Sequence, residues 1–352
     1  MEEKEIEELG DFIKHIKSKA RYKKKNPNLP ARLWKEDETI DGKPAKALVI
    51  VLTTRGCRWN LCSMCGYFRE SLDAVSPANI LKQIEFALSR YQGEKIIKIF
   101  TSGSFLDEEE IDFATQGKIM KQLSKLKEVK IISIESRPEF VDLEKLEELI
   151  KIVHPKKLEV SLGLESANDR ILKYSINKGF HFSDYVKSAK VAKEAKASVK
   201  TYILLKPPFL TEREAINDCI ESIRKVADIT DTISLNPVSI HRYTLVEYLW
   251  ERGDYRPPWL WSVIEVLKEG KKILEEKRIK CDITGGGEKR GAHNCGRCDK
   301  KILDAIKKFS LDQDLNHIED IYCDCAEEWK DALDLEIFSM GTMVRLYESC
   351  RG

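Results

Sequence analysis

Long apolar runs are absent from this sequence of 352 residues. No hydrophobic stretch approaches the roughly 20 residues that a membrane-spanning helix needs. The amino terminus, MEEKEIEELG, is acidic and polar, unlike the start of a secretory signal. The hydrophobic fraction of 42% and the charged fraction of 34% are typical of soluble globular proteins. We therefore expect a cytoplasmic protein without a membrane partner.

An internal repeat is also absent, and no GxGxxG motif follows the first predicted strand. An NAD-binding doubly wound sheet is therefore disfavoured. Six apolar runs instead alternate with helical patterns, which indicates parallel βαβ units. The predicted strands are 45–53, 95–102, 129–136, 157–165, 199–206 and 231–238. The predicted helices are 77–92, 108–126, 141–153, 168–195 and 211–228, with Pro77, Glu108 and Thr211 as helix starts.

These strands look continuously apolar, as expected for strands that are covered on both faces. They predict an α/β fold, a partial (β/α)6 TIM-like barrel with a small cysteine-rich C-terminal extension. In such barrels the active-site groups lie on loops that follow the strands. We divide the chain into a basic helical N-terminal segment (1–44), a (β/α)6 core (45–238), a capping extension (239–280) and a cysteine-rich metal-binding region (281–352).

Ten cysteines are many for a protein of a reducing compartment, where clustered cysteines bind metals more often than they form disulfides. They form two groups, one near residue 60 and one near residue 300. Three others, Cys219, Cys281 and Cys350, stand apart, and we treat them as buried or incidental.

Cys57, Cys62 and Cys65 form a C-x4-C-x2-C pattern on the loop after the first predicted strand. Three thiolates on one loop can hold three irons of a [4Fe–4S] cluster and leave the fourth iron open. The open iron can bind the amino and carboxylate groups of S-adenosylmethionine (SAM), and the cluster can donate the electron that breaks a C–S bond. The product, a 5′-deoxyadenosyl radical, abstracts hydrogen from unactivated carbon.

Two other metal sites have a similar spacing. The plant-type ferredoxin pattern is C-x4-C-x2-C with a distant fourth cysteine, but that cluster belongs to a small, mostly β domain. A zinc knuckle needs a fourth ligand nearby, and no further cysteine follows before Cys219. The position of the loop after the first of six αβ strands favours the open cluster.

The segment TTRGCRWNLCSMCGYFRE resembles the cluster-binding loop of the radical SAM superfamily. The usual superfamily spacing is one residue shorter between the first two cysteines, and the longer spacing occurs in some members. The residue before the last cysteine is often aromatic and lies near the adenine of SAM, whereas here it is Met64. The resemblance implies a [4Fe–4S] cluster on Cys57, Cys62 and Cys65 and a SAM contact at Met64.

Two further strand ends match superfamily positions that bind SAM. Gly103 and Ser104 lie in Ser-Gly-Ser-Phe, where the superfamily has a glycine-containing motif whose backbone binds the methionine amino group. Glu165 ends the strand SLGLE, where related enzymes place a polar residue that contacts the ribose or the methionine moiety. Each has a structural alternative, a turn at Gly103 and a helix N-terminal acid at Glu165. Arg137 could bind a carboxylate or phosphate, or form a structural ion pair.

The second group combines Cys295-x2-Cys298 with Cys323-x-Cys325. Four thiolates suffice for a closed tetrahedral zinc site. The final C-x-C is tighter than the usual zinc-ribbon spacing, so a second iron–sulfur cluster is the chemical alternative. His293 could also replace one ligand. We expect a structural zinc ion at this group.

The order of motifs along the chain resembles one family within the superfamily. ESRPEF and SLGLES are similar to segments of the catalytic subunit of Elongator and its relatives, which act on tRNA. HNCGRCDKK, followed by a helix, FSL and a C-x-C pair with a tryptophan, resembles the radical SAM proteins of archaeosine biosynthesis, the RaSEA family. The likeness runs from the TTRGC loop to the C-terminal cysteines.

Membership in that family implies a defined reaction. A partner enzyme, archaeosine synthase, attaches lysine to the 7-cyano-7-deazaguanine base at position 15 of archaeal tRNA. The radical SAM protein then abstracts hydrogen from the lysine-derived carbon next to nitrogen and breaks a C–N bond, which leaves archaeosine. The implied partners are tRNA, the lysine-transferring enzyme and an electron donor.

The net charge of +1 hides a basic stretch near the amino terminus. Residues 14–35 contain nine Lys and Arg but no acidic residue, with a Tyr and a Trp interleaved. Lys and Arg can bind phosphates, and aromatic side chains can stack on bases. This composition makes Lys23, Lys24, Lys25 and Arg32 candidate tRNA contacts. A solvated basic helix end or a contact with a partner protein is the alternative.

Two other functions stay open on the sequence alone. A radical SAM enzyme that carboxymethylates or methylthiolates tRNA keeps the chemistry, but no acetyltransferase domain or RNA-binding β domain is visible. A zinc-stabilised nucleic-acid-binding protein without catalysis would use both cysteine groups as fingers, yet it would not need six buried strands. We therefore expect a radical SAM lyase that acts on modified tRNA.

Overall fold

The computed structural model describes residues 2–21 and 25–336, with side chains from Leu9 onward. Eight strands form one sheet with helices packed against it. The strands are β1 (Arg32–Ile40), β2 (Lys43–Val51), β3 (Ile96–Phe100), β4 (Ile131–Ser136), β5 (Lys157–Glu165), β6 (Ser198–Leu205), β7 (Thr232–Pro237) and β8 (Arg278–Cys281). The α-helices are α1 (Glu2–Ser18), α2 (Pro77–Leu88), α3 (Phe113–Ser124), α4 (Leu143–Val153), α5 (Asp169–Ile171), α6 (Phe182–Glu194), α7 (Glu212–Val226), α8 (Leu245–Trp250), α9 (Leu260–Leu274), α10 (Asp299–Asp312), α11 (Asn316–Glu319) and α12 (Cys325–Leu335).

The strands lie side by side in their order along the chain. β2 to β8 are parallel to their neighbours, and β1 is antiparallel to β2. Helices follow most of the parallel strands, which is the arrangement of βαβ units. All six predicted strands and the α/β barrel-like class are confirmed, with strand ends that differ by only a few residues.

Two strands are missing from the prediction based on sequence. β1 falls within 1–44, for which we expect helix, and that expectation holds for α1 but is wrong for β1. β8 and α9 fall within 239–280, where we expect a cap, but β8 instead extends the sheet beside β7. The three boundaries between the four proposed segments themselves stay a prediction.

Local capping explains where the helices begin. The predicted starts at Pro77 and Thr211 are confirmed, and each of these helices has a capping box. The predicted start at Glu108 is wrong, because α3 begins only after Asp112, whose carboxylate accepts a hydrogen bond from the Thr115 N–H. In the described part of the chain, no helix is long and apolar enough to cross a membrane.

The two faces of the sheet differ in composition. On the outer face, side chains such as Ile99, Ile134 and Leu162 are fully buried beneath helices. The inner face instead buries polar and charged side chains, namely Lys98, Ser133, Ser161, Lys200, Ser234 and Lys280. The expectation of strands that are apolar on both faces is therefore wrong. Residues alternate along each strand because successive side chains point to opposite faces.

Side chains join the two edge strands, β1 and β8, which no backbone ladder connects. Glu38 of β1 lies 2.7 Å from Lys280 of β8, and it also pairs with Lys98 and with Arg278. Burial opposes ionisation of Glu38, but these three cations hold its pKa well below its ordinary value. The sheet therefore curls into a barrel whose seam is closed by ion pairs.

A cavity of about 430 Å³ lies beside this seam, between β1, β8 and α10. Its lining includes ion pairs such as Asp37 with Lys46 and Asp37 with Lys307. None of the first-group cysteines lines this cavity. The cavity is therefore separate from the cysteine loop.

Candidate active site

The first cysteine group lies on the loop after β2, at the carboxyl end of the parallel strands. Cys62 is buried, and Cys57 and Cys65 are half-buried. The Asn60 N–H donates a hydrogen bond to Sγ of Cys57 at 3.5 Å. Burial raises the pKa of Cys62 to about 11 in spite of the nearby cations Lys178 and Arg137, so its thiol ionises at neutral pH only when a metal binds it.

The loop after β3 lies directly against the cysteine loop. A Cβ on Gly103 would be 2.7 Å from Cα of Cys57 and 2.3 Å from Oε2 of Glu110. Neither distance leaves room for a side chain, so the two loops approach this closely only with glycine at position 103. The structure thus brings the predicted SAM contact at Gly103 next to the cysteines.

Glu110 holds these two loops together. Its carboxylate accepts hydrogen bonds from the Thr54 hydroxyl, just before the cysteine loop, and from the Ser104 N–H at 2.5 Å. Burial raises the pKa of Glu110 to about 7. Oγ of Ser104 accepts a hydrogen bond from the Arg137 N–H at 2.9 Å, which connects the loop after β4. Three strand-end loops therefore share one hydrogen-bond network.

Glu165 ends β5, where the register against β6 shifts and the backbone is left-handed, with φ of 74°. Oε1 of Glu165 accepts a hydrogen bond from Nζ of Lys178 at 2.8 Å, and both side chains are buried. Lys178 follows the π-helical turn Leu172–Ile176. The Ile176 carbonyl in turn accepts a hydrogen bond from the Ser63 N–H at 2.9 Å. Glu165 is thus connected to the cysteine loop indirectly, because the segment that contains Lys178 bonds to Glu165 and also to the loop.

Three buried cations surround the cysteine loop, namely Lys17, Arg137 and Lys178. Burial raises the pKa of Cys62, and the charges of Lys178 and Arg137 oppose that rise. Burial lowers the pKa of Lys17, and the charges of all three cysteine sulfurs oppose that fall. The loop therefore places its thiolates in a positively charged surrounding, which favours their ionised form.

These residues fit an iron–sulfur cluster and SAM. The three thiolates provide one ligand each, and the buried cations offset their negative charge. Gly103 leaves the backbone open to close approach, and the buried Ser102 hydroxyl has no hydrogen-bond partner among the described residues. Met64 is half-buried and packs against the core. The assignment of SAM contacts to Met64, Gly103, Ser104 and Glu165 stays a prediction.

The second cysteine group forms a compact cluster. The four Sγ atoms of Cys295, Cys298, Cys323 and Cys325 lie within 4.8 Å of one another. Cys295 Sγ is 3.8 Å from Sγ of Cys298 and of Cys323, and Cys298 Sγ is 3.6 Å from Sγ of Cys325. Four sulfurs around one zinc ion, with bonds of about 2.3 Å, lie about 3.8 Å apart. The spacing fits one tetrahedral ion.

Polar groups around this cluster point at its sulfurs. Trp261 Nε1 donates to Cys325 Sγ at 3.4 Å, and Asn294 Nδ2 donates to Cys298 Sγ at 3.5 Å. Outer donors of this kind orient metal ligands. His293 is not part of the cluster, and its Nδ1 lies 2.8 Å from a backbone carbonyl oxygen. The donor set is therefore four thiolates.

The basic stretch is only partly described. Lys23 and Lys24 lie outside the described residues. Lys25 and Arg32 each lie 3.2 Å from a carboxylate oxygen of Glu70, just after the cysteine loop. Lys25 is largely buried, whereas the Arg32 side chain is 60% exposed and still faces solvent. Two of the four candidate tRNA contacts therefore already have a partner within the protein.

Sequence reasoning missed three residues of this site. Glu110 and Lys178 fall within predicted helices, and Lys17 lies in the N-terminal helix. A charged residue in a helical pattern most often marks a solvated face, so their burial could not be anticipated. One signal existed at Gly179, where the helical pattern breaks and the backbone packs against the ring of Trp59.

Comparison with known proteins agrees with this geometry. The family model described as "Radical SAM superfamily" matches residues 51–222. The chain is a radical SAM enzyme, and a [4Fe–4S] cluster and SAM are the cofactors of that class.

Two curated relatives define the family more closely. Archaeosine synthase subunit beta of Methanosarcina acetivorans is 39% identical over 342 residues, which cover 96% of this chain and 99% of the relative. Archaeosine synthase subunit beta of Thermococcus kodakarensis is 44% identical over 308 residues, which cover 84% of this chain and 94% of the relative. The chain belongs to the family of archaeosine synthase beta subunits.

A solved structure is similar in fold. Methylornithine synthase matches with a TM-score of 0.50 and 14% sequence identity, over 78% of this chain and 70% of that chain. At this level of identity the similarity supports the barrel-like fold alone and says nothing about the substrate.

Proposed function

We propose that this protein is the radical SAM subunit of an enzyme that forms archaeosine in tRNA. One observation carries the proposal, namely the loop with three cysteines packed against the backbone of Gly103 at the carboxyl ends of parallel strands. The relatives named as archaeosine synthase subunit beta match nearly the whole chain, which supports the choice of product.

In this proposal Cys57, Cys62 and Cys65 hold the [4Fe–4S] cluster. When bound, the cluster supplies the electron that cleaves SAM and releases a 5′-deoxyadenosyl radical. The backbone at Gly103 would receive the methionine amino group, and Met64 would contact the adenine. The protein contributes position and shelter, and Glu110 keeps the loops at a fixed separation.

The proposed substrate is tRNA that carries the lysine adduct of 7-cyano-7-deazaguanine at position 15. The enzyme cleaves a C–N bond of that adduct, which makes it a lyase. The designation "subunit beta" in the relatives supports a partner subunit, for which we propose the lysine-transferring enzyme. A low-potential electron donor and a cytoplasmic location complete the proposal, with the basic stretch around Lys23, Lys24, Lys25 and Arg32 as the proposed tRNA contact.

Anaerobic reconstitution tests the chemistry. Protein supplied with iron, sulfide, SAM and a reductant should produce 5′-deoxyadenosine. The variant Cys57→Ala should lose both the cluster and this product, whereas Cys219→Ala, at a buried cysteine outside both groups, should retain them. Unchanged iron content in Cys57→Ala, together with no SAM cleavage by the wild type, contradicts the proposal.

Modified tRNA tests the substrate. Purified tRNA that bears the lysine adduct should lose it and gain archaeosine, as measured by mass spectrometry of its nucleosides. If the protein cleaves SAM but the adduct persists, the chemistry stands and the substrate assignment fails. Carboxymethylated or methylthiolated nucleosides in total tRNA would then indicate the alternative radical SAM functions.

We also propose that the second cysteine group holds a structural zinc ion. The sulfur separations of 3.6 to 3.8 Å and the closed set of four thiolates support this proposal. A variant in which Cys57, Cys62 and Cys65 are all alanine should retain about one zinc per chain and no iron. Iron in place of zinc in that variant would show a second iron–sulfur cluster instead.

A further inference from the structure

The N-terminal helix α1 precedes the barrel but packs over the cysteine loop. Ile13 and Ile16 of α1 are buried together with Leu245, in a small core separate from the main one. Leu61, which lies between the first two cysteines of the loop, packs against this small core. Apolar contacts therefore fix the last turns of α1 beside the cysteine loop.

Lys17, near the end of α1, reaches into the cysteine loop. Its side chain is only 7% exposed, and Nζ donates hydrogen bonds to the Asn60 carbonyl at 2.7 Å and to Oδ1 of Asn60 at 3.0 Å. The ammonium group also lies 4.8 Å from the ring centroid of Phe68. Asn60 has a left-handed φ of 43°, and its N–H donates to Sγ of Cys57. Lys17 thus binds the turn that carries a hydrogen-bond donor to Cys57.

The charge of Lys17 lacks a carboxylate partner among the described residues. The other two buried cations each have one, because Lys178 pairs with Glu165 and Arg137 pairs with Glu139. Burying an unpaired ammonium group is costly unless another anion offsets its charge. Among the described residues, the groups whose negative charge would offset that of Lys17 are the sulfurs of the cysteine loop, which become thiolates when they bind a metal.

We propose that Lys17 is a positioning residue that makes the cluster on Cys57, Cys62 and Cys65 easier to reduce. This inference rests on the proposed function, since it needs that cluster. Reduction adds one electron, taken from a low-potential donor, and forms or breaks no bond at Lys17. A buried positive charge stabilises the state with the extra negative charge, so the midpoint potential of the cluster is higher with Lys17 than without it.

Two variants and one control separate charge from shape. Lys17→Met keeps the apolar stem over Phe68 but removes the charge and the donors. Lys17→Arg keeps the charge. The control Lys14→Met removes a lysine from the same helix that is 63% exposed and pairs with Asp11. Midpoint potentials are measured on reconstituted protein by redox titration with electron paramagnetic resonance, which detects only chains that hold a cluster.

The expected result is a shift to lower potential in Lys17→Met. At fixed solution potential, the ratio of reduced to oxidised cluster should fall about tenfold, which corresponds to about 59 mV for one electron. Lys17→Arg and Lys14→Met should stay near the wild-type value. SAM cleavage with a weak reductant should fall in Lys17→Met and recover with a stronger reductant.

Other outcomes overturn specific claims. A Lys17→Met cluster with the wild-type potential overturns the inference and leaves the proposed function intact. A wild-type protein that binds no reducible cluster overturns both. If Lys17→Met binds no cluster, cluster binding by Lys17→Gln and Lys17→Arg is compared. A cluster in Lys17→Arg but not in Lys17→Gln supports a role of the positive charge. Loss of the cluster in Lys17→Arg as well contradicts that role.

Discussion

The backbone of Gly103 lies so close to Cys57 that one added carbon would disturb both loops. Gly103→Ala should therefore lower the rate of SAM cleavage about a hundredfold, because displacing reacting groups by about 1 Å has effects of this size. The assay is 5′-deoxyadenosine formation, with iron content measured in parallel.

Gly117→Ala provides the matched control, because the nearest atom to its added Cβ is Ile152 Cδ1 at 3.8 Å. Gly117 lies inside α3, where alanine should raise the free energy of unfolding by about 0.5–1 kcal/mol. Equal activity in Gly103→Ala and Gly117→Ala would contradict the close approach of the two loops.

Glu110 gives the protein a pH dependence. Its pKa is about 7 in the folded state against an ordinary value of 4.5, so the folded state binds more protons between these values. The free energy of unfolding should therefore fall as pH rises from about 4.5 to about 7, and this contribution should change no further above that range.

Glu110→Gln cannot ionise but keeps the shape, with its oxygen toward the Ser104 N–H and its amide toward Thr54. Melting curves should show Glu110→Gln gaining stability relative to the wild type at pH 8 and little or none at pH 5. Glu109→Gln, at an exposed neighbour paired with Arg58, should show no such pH dependence. A constant difference between Glu110→Gln and the wild type at both pH values would refute the assignment.

Among the elements, β5 shows what the sequence can predict. Its bounds of 157–165 match the prediction, which identified the segment as an apolar run between two helical patterns. Its apolar residues in fact recur at every second position. The same alternation in KLEVSLGLE also signals a polar inner face, which the prediction overlooked. The cysteine loop and the second cysteine group could be recognised because metal-binding cysteines lie at characteristic spacings along the sequence.

β1 shows both what the prediction overlooked and what leaves no local pattern. Its sequence, RLWKEDETI, is rich in charge and resembles a solvated segment. The strand pairs with β2 in a hairpin whose turn, Asp41-Gly42, has a positive φ at both residues, and this dipeptide was a local signal that the prediction overlooked. The buried cations that Glu38 contacts lie on strands that are remote in sequence, and such ion pairing leaves no local pattern. Lys17 was missed for the same reason, since its hydrogen-bond partner, Asn60, is 43 residues away.

The seam between β1 and β8 depends on Glu38. Glu38→Gln leaves Lys98 and Lys280 buried without this carboxylate, and we expect the free energy of unfolding to fall by about 3 kcal/mol. Asp37, the preceding residue, lies on the opposite face of the strand and pairs only with exposed lysines. Asp37→Asn should therefore change the free energy of unfolding by less than about 0.5 kcal/mol. Denaturant unfolding of both variants is the measurement, and equal effects would contradict the ion-paired seam.

At the scale of the whole molecule, the four-thiolate cluster attaches the last described helix to the barrel. α12 begins at Cys325, Trp329 Nε1 donates to the Ser262 hydroxyl of α9 at 2.8 Å, and Asp334 pairs with Arg213 of α7 at 2.5 Å. The metal site therefore lies at the junction of α9, α10 and α12.

Loss of the metal should loosen this junction. Cys298→Ser should release the metal ion that we propose for this cluster and speed amide hydrogen exchange in α12 at least tenfold, because the helix then keeps only its side-chain contacts. Exchange in α4, which packs against α3 and β5, should stay unchanged. Equally fast exchange in both helices would indicate global unfolding instead of local release.

The ion pair between Glu38 and Lys280 also has a consequence for folding during synthesis. The two residues are 242 positions apart, so a chain emerging from the ribosome carries β1 and the cysteine loop long before β8 exists. Until β8 is synthesised, Glu38 lacks two of the cations with which it pairs in the folded protein, Lys280 and Arg278. Contacts of such long sequence separation slow folding. The barrel can therefore be sealed only late in synthesis, and a chain truncated before β8 should not reach the native state.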